Sequence, residues 1–314
     1  MNNLKKRIIL GGFCPLPGHH PSAWKLSHVD PLSSLKFEEY IQVAKKLEEA
    51  AFDFFFLSDG VGIRAPSENL ESLSQWGRLI QFEPAVLMSA LAQHTKEIGF
   101  VATMSTTYQE PFHIARFFSS LDHITKGRIA WNIVTSVTDA EAQNFSLKKQ
   151  ISHEIRYDRA HEALQVVTGL WNSWDEDAFD KSLTREIFFD PAKARFLNHS
   201  GKYFSVRGPL NIHRSPQNFP VLVQAGSSEM GRNFAARWSE IIFTAQMDLA
   251  SAIEFGKDIR IRCSAFNRDP LPLIMPGGLS DFIDFVLPHL RSMNLVQLKY
   301  GQGTLREKLR KGLS

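Results

Sequence analysis

The polar residues with most chemical promise in this 314-residue chain stand just after short apolar runs. Asp59 follows Phe54-Phe55-Phe56-Leu57-Ser58, and Thr103, Ser105, Thr106 and Thr107 follow Ile98 to Ala102. Asn132, Thr135 and Ser136 close the run that starts at Arg128. A fourth run, Phe219 to Ala225, leads into Gly226-Ser227-Ser228-Glu229-Met230-Gly231. There a helix begins, whose free N–H groups and positive dipole end favour a phosphate and whose hydroxyls add hydrogen bonds. Taken singly, each of these residues reads first as a cap or turn residue. The same habit at four strand ends points to a site. His19 and His20, after the first run, are candidates to polarise a substrate or donate a proton.

Other chemistries find no support. G-x-x-x-x-G-K-[ST], H-E-x-x-H, C-x-x-C and G-x-S-x-G are missing. Gly301-Gln302-Gly303 follows no strand and lacks a third glycine, which argues against a Rossmann nicotinamide site. The 11 histidines fit no ligand spacing, so no metal is expected. Two cysteines, Cys14 and Cys263, cannot form a disulfide scaffold and suit a reducing compartment. Cys14 has no basic neighbour in sequence and reads as an inert buried thiol. Lys+Arg exceed Asp+Glu by 36 to 33, too little to imply nucleic acid or an anionic membrane surface. No apolar run is long enough to span a bilayer. Lys5-Lys6-Arg7 before Ile8-Ile9-Leu10 resembles a signal peptide, but the apolar part stops at Gly11-Gly12 without a cleavage site. A buried first strand and a cytoplasmic location are expected.

The elements that position these groups alternate along the chain. Strands are expected at Arg7 to Phe13, Phe52 to Ser58, Ile98 to Ser105, Arg128 to Val134, Phe219 to Ala225, Ile241 to Ala245 and Leu271 to Met275. Each precedes an amphipathic stretch, such as Phe37 to Ala51, Pro111 to Thr125 and Glu229 to Trp238. Strands apolar on both faces, each followed by a helix, imply a parallel sheet covered by helices. The repetition predicts an α/β fold, a (β/α)8 TIM barrel rather than a doubly wound sheet. One domain, 1–314, is expected, with a rim insertion at 175–218 and a shortened C-terminal part at 270–314. Seven units are visible; a convincing eighth is not.

Several long stretches resemble the bacterial luciferase-like flavin monooxygenases, in the branch of nitrilotriacetate monooxygenase component A, dibenzothiophene-sulfone monooxygenase and long-chain alkane monooxygenase. They are FDFFFLSDG (52–60), EPAVLMSALAQHT (83–95), STTYQEPFHIARFFSSLDHITKGRIAWNIVTS (105–136), HEIRYDRAHE (153–162) and PVLVQAGSSEMGRNFAAR (220–237). The resemblance implies reduced FMN as cosubstrate and O2, with one oxygen atom passing to a small organic substrate. It implies a separate NAD(P)H:flavin reductase as partner. It also implies that Asp59 and Thr103 contact the isoalloxazine, that His153 and Tyr157 contact the ribityl–phosphate part, and that Ser228 holds the phosphate with Ser227 beside it. Asn132 and Ser105 join the cofactor site by their places at strand ends.

The C-terminal part departs from the family pattern. Members run roughly a hundred residues longer between the PG at 276–277 and the F-x-D-x-V-x-P-x-L element, here Phe282 to Leu290, where an eight-unit barrel has its last unit. The final helix, Leu279 to Met293 with Phe282, Phe285, Val286 and Leu290 in a stripe, is expected to pack near the gap. The alternative is that a second subunit seals the gap, and a homo-oligomer is expected. A flavin-binding relative that has lost catalysis is the alternative reading.

Overall fold

The computed structural model describes residues 9–63, 69–179, 186–246, 248–268, 271–276, 287–293, 295–297 and 299–311. The first half lays down four strands and their helices: β1 (Gly11–Phe13), α1 (Phe37–Glu49), β2 (Phe54–Leu57), α2 (Leu70–Leu73), α3 (Pro84–Leu91), β3 (Gly99–Ser105), α4 (Pro111–Thr125) and β4 (Ile129–Val134). Then come α5 (Asp139–Gln143), α6 (His153–Trp171) and a small hairpin of β5 (His199–Ser200) and β6 (Ser205–Val206). The second half adds β7 (Val221–Gln224), α7 (Glu229–Trp238), β8 (Ile241–Thr244), α8 (Leu249–Ala265), β9 (Leu273–Pro276), α9 (Leu287–Ser292) and α10 (Leu305–Lys311).

Local chemistry sets the helix starts. Pro84 and Pro111 occupy the first turns of α3 and α4, where a missing N–H costs nothing. Glu83 caps α3 by accepting from Val86 N, and Thr138 with Glu141 forms a capping box on α5. The C-cap of α4, Lys126, takes a left-handed conformation that turns the chain into β4.

The main sheet has seven strands in the order β1-β2-β3-β4-β7-β8-β9, all parallel. It curls on itself. The Phe13 and Phe243 rings, on strands five places apart, meet at 6.1 Å, and both pack on Phe56. Alternation along the strands separates two cores. Phe55, Phe100, Ile129, Trp131 and Leu222 pack outward under the helices. Phe54, Phe56, Val101, Ala130, Val221, Val223 and Ile241 fill the interior.

Seven strands match the number of units read from sequence, and among the described residues no pairing joins β1 to β9. Phe282, Phe285 and Val286 lie outside the described residues. The described part of the final helix, α9, sits on the β1 side. Arg291 donates to Ala50 O at 2.7 Å, Gln297 to Ala51 O at 2.9 Å, and Tyr300 to Phe52 O at 2.6 Å. The chain thus passes from the β9 edge to the turn between α1 and β2. It ends in α10, whose Leu305 and Leu309 enter the interior core from the N-terminal end of the strands. Each buried leucine contributes about 1.5–3 kcal/mol. The insertion at 175–218 joins α6 to β7 and so begins at this same end. Its hairpin is tied to α6 by Glu162, which accepts from Tyr203 N and Phe204 N.

Candidate active site

Because the strands are parallel, their carboxyl ends share one face, opposite α10. Val101 and Ala130 face the interior, so two residues further on Thr103 and Asn132 do too. Register sets these two side by side. Asn132 Nδ2 donates to Thr103 Oγ1 at 2.9 Å, and Thr103 donates to Leu57 O at 2.8 Å. Asn132 is only 2% exposed, yet its Oδ1 has no partner. An unpaired buried acceptor costs about 1–3 kcal/mol. Such an acceptor is matched to the N–H of a planar heterocycle.

A second cluster forms where α6 and α7 begin. Buried Gln224, at the end of β7, accepts from Gly226 N at 2.7 Å and shapes the turn. Ser228 caps α7 by accepting from Gly231 N at 3.1 Å, and its Oγ lies 3.3 Å from His153 Nε2. His153 opens α6, and Tyr157, one turn on, has its ring 4.9 Å away. A Cβ on Gly226 or Gly231 would come within 2.9 Å of the Tyr157 hydroxyl. Only glycine allows so close an approach of turn, helix and phenol. His153, Tyr157, Ser228 and the exposed Ser227 beside it therefore form a cradle over a helix N-terminus, the geometry that accepts a phosphate.

Its electrostatics are consistent. The carboxylate at the helix start, Glu229, is held by Arg262 at 2.6 and 2.8 Å and by Arg232 at 3.2 Å. The hydrogen bond from Arg262 keeps the Glu229 carboxyl below its usual range. Both arginines also pair with Asp258, so two guanidinium groups balance two carboxylates. Glu229 is thereby neutralised at the cradle's edge, and the dipole end stays favourable to an anion. The two clusters are linked by the β4–β7 ladder, which pairs Asn132 with Val223 and Ile133 with Gln224.

The remaining predicted residues sit at the mouth. Asp59 Oδ1 accepts from Gln81 Nε2 at 3.0 Å, and the same amide donates to Ser58 O at 2.9 Å. Exposed His19 rests edge-on against Phe13 at 5.2 Å. Partial burial, with help from Arg78, pushes its imidazole below the usual value. His20 Nδ1 accepts from Ser22 N at 3.1 Å and so closes a turn. Ser105 Oγ is 3.0 Å from Ser136 Oγ and accepts from Thr107 N, which ties the exits of β3 and β4 together. Gln81, Gln224 and Arg78 were not singled out in sequence. Gln224 had a signal, an amide ending the otherwise apolar run Val221 to Val223.

Burial pushes the Cys14 thiol up to about 11. At pH 8 roughly one molecule in a thousand carries the thiolate, which is the reactive form. Alkylation by iodoacetamide at pH 8 is expected to be at least a hundredfold slower than for free cysteine. Labelling at the free-cysteine rate, read by mass spectrometry of the Cys14 peptide, would contradict the burial.

Among the described residues no group of three or more His, Cys, Asp or Glu side chains is placed to hold a metal ion. A cavity of about 530 Å3 lies at the opposite end of the strands, lined by Arg214, Arg237, Glu240 and Arg306 among others, remote from these clusters.

The family model described as luciferase-like monooxygenase matches residues 18–277. The N-acetyl-S-(2-succino)cysteine monooxygenase of Bacillus subtilis (strain 168) is 47% identical over 278 residues, 88% of this chain and 62% of that protein. Nitrilotriacetate monooxygenase component A of Aminobacter aminovorans is 38% identical over 278 residues, 87% of this chain and 61% of that protein. The chain thus spans about three fifths of the length of these curated relatives. Among solved structures, a long-chain alkane monooxygenase superposes with a TM-score of 0.87 at 29% identity, over 98% of this chain and 96% of that chain. A riboflavin lyase determined with modified FMN and riboflavin superposes with a TM-score of 0.87 at 25% identity, over 96% of this chain and 95% of that one.

Proposed function

The chain belongs to the luciferase-like monooxygenase family, and from that premise we propose that it uses reduced FMN and O2 to oxygenate a small organic molecule. The observation that carries the reading is the cradle of His153, Tyr157 and Ser228 around the Gly226–Gly231 turn. Ser228, Ser227 and the α7 N-terminus would hold the phosphate, with His153 and Tyr157 against the ribityl–phosphate part. Thr103, Asn132 and Asp59 would face the isoalloxazine, Asn132 Oδ1 gaining the donor it lacks. When bound in reduced form, FMN supplies the electrons that send one oxygen atom of O2 to the substrate and the other to water.

The protein's own contribution is to bind, orient and exclude water. Phe13, Phe56 and Phe243 make an aromatic floor in the interior. Ser105 supports the site by fixing the β3 and β4 exits. His19 or His20, both exposed at the mouth, would polarise the substrate or donate a proton; in His20 the Nδ1 is engaged in its turn. Reduced flavin would come from a separate NAD(P)H:flavin reductase, as the component name of the nitrilotriacetate relative suggests. The protein is read as cytoplasmic, and as a homo-oligomer.

The expected result is that the pure chain with FMN does not oxidise NADH or NADPH. With a flavin reductase and 18O2, at least one of N-acetyl-S-(2-succino)cysteine, nitrilotriacetate and dibenzothiophene sulfone should gain one 18O atom by mass spectrometry. Direct, stoichiometric NADH oxidation by the pure chain, or no labelled product from any of the three, would contradict the reading.

A further inference from the structure

Arg78 is held between two parts of the barrel mouth. Its Nη1 donates to His19 O at 3.0 Å, beyond the end of β1. Three residues on, Gln81 binds Asp59 and Ser58 at the end of β2. The segment is seated from below as well. Gly77 N donates to Pro21 O at 2.9 Å, Trp24 Nε1 donates to Gln75 O at 3.3 Å, and a Cβ on Gly77 would come within 2.3 Å of the Trp24 indole. The guanidinium therefore stands at a defined place over the strand ends.

Among the described residues its charge is not answered by a carboxylate. Arg262 meets Glu229 and Asp258, and Arg306 meets Glu240, while Arg128 and Arg268 are each spent on two or more backbone carbonyls. Among the described residues Arg78 gives only one hydrogen bond, to a neutral carbonyl, so most of its donors stay available at the mouth. Arg78 is exposed at the mouth, partial desolvation lowers its pKa, and its charge helps hold the neighbouring His19 imidazole below the usual value. A guanidinium held at one donor, with no carboxylate partner among the described residues, offers its remaining forked N–H donors, a set matched to a carboxylate.

We infer that Arg78 receives a carboxylate of the organic substrate, which makes that substrate a small organic anion. The inference rests on the proposed reading that the substrate enters at this mouth. Arg78 is a recognition residue, and it plays no part in holding the flavin.

The test is isothermal titration with the tricarboxylate thioether N-acetyl-S-(2-succino)cysteine and with its fully esterified form. Both are titrated into FMN-loaded and flavin-free protein. The wild-type chain is expected to bind the acid at least tenfold more tightly than the ester. Arg78→Gln should abolish that preference and Arg78→Lys should keep part of it, with FMN affinity the same in all three. No measurable binding of the acid, equal affinity for acid and ester, or a preference that survives in Arg78→Gln would overturn the assignment. Failure to take up FMN would contradict the flavin reading instead, and the flavin-free arm would still decide the role of Arg78.

Discussion

Ser228→Glu is expected to raise the dissociation constant for FMN about a hundredfold, with little change for riboflavin. Ser228 sits at the start of α7, where it accepts from Gly231 N and approaches His153. A glutamate there places a carboxylate against the phosphate and competes for the same helix N-terminus. At a separation of about 4–5 Å and partial exposure, the repulsion is roughly 3 kcal/mol, which corresponds to the hundredfold change. Riboflavin lacks the phosphate and serves as the internal control. Ser228→Ala removes only the cap, at about 1 kcal/mol of stability, and should weaken FMN far less. Fluorescence titration of wild type, Ser228→Glu and Ser228→Ala with FMN and with riboflavin checks this. An unchanged FMN affinity in Ser228→Glu, or an equal loss for riboflavin, would move the phosphate elsewhere.

The second large effect concerns stability. Arg306, on α10, donates to both oxygens of Glu240 at 2.8 and 2.6 Å, to Gln217 O at 2.8 Å and to Phe219 O. It thereby locks the plug of Leu305 and Leu309 under β7 and β8. Arg306→Ala leaves Glu240, with only about a quarter of its side chain exposed, facing two freed carbonyls. Glu240 keeps Arg310 at 3.6 Å and the Leu222 N–H at 3.4 Å. Losing Arg306 with its four side-chain hydrogen bonds therefore costs about 2–3 kcal/mol rather than the full penalty of an isolated buried charge. The urea midpoint should fall accordingly with an unchanged slope. A loss under about 1 kcal/mol would show that α10 is not what closes the lower end. FMN affinity, set at the opposite face, should hold in the folded variant.

Much of this architecture was legible in the residues. Strand runs apolar on both faces, such as Phe54 to Leu57, allow only a sheet covered by helices, and the seven-strand order follows. Thr103, Asn132 and Ser228 stand at strand exits and do converge on the carboxyl face in two clusters. Less legible were the groups whose placement depends on long-range contacts. Gln81 reaches Asp59 across a loop, and Arg78 reaches His19 from 59 positions away. No local pattern marks such partners. The Ser105 hydroxyl shows the converse limit. Its position marks a strand exit, yet its bond to Ser136 spends it on local structure. Sequence periodicity also missed the plug, because the chain turns α10 into the interior only after the turn beneath β2 is anchored by Gln297 and Tyr300.

The most direct test of the central claim is a crystal structure of this chain soaked with FMN. The phosphate should lie against the Gly226–Gly231 turn, with Ser228 and His153 in hydrogen-bond reach and the isoalloxazine toward Thr103 and Asn132. A flavin in the arginine-lined cavity at the other end of the strands, or no flavin at a concentration that saturates in solution, would contradict the account.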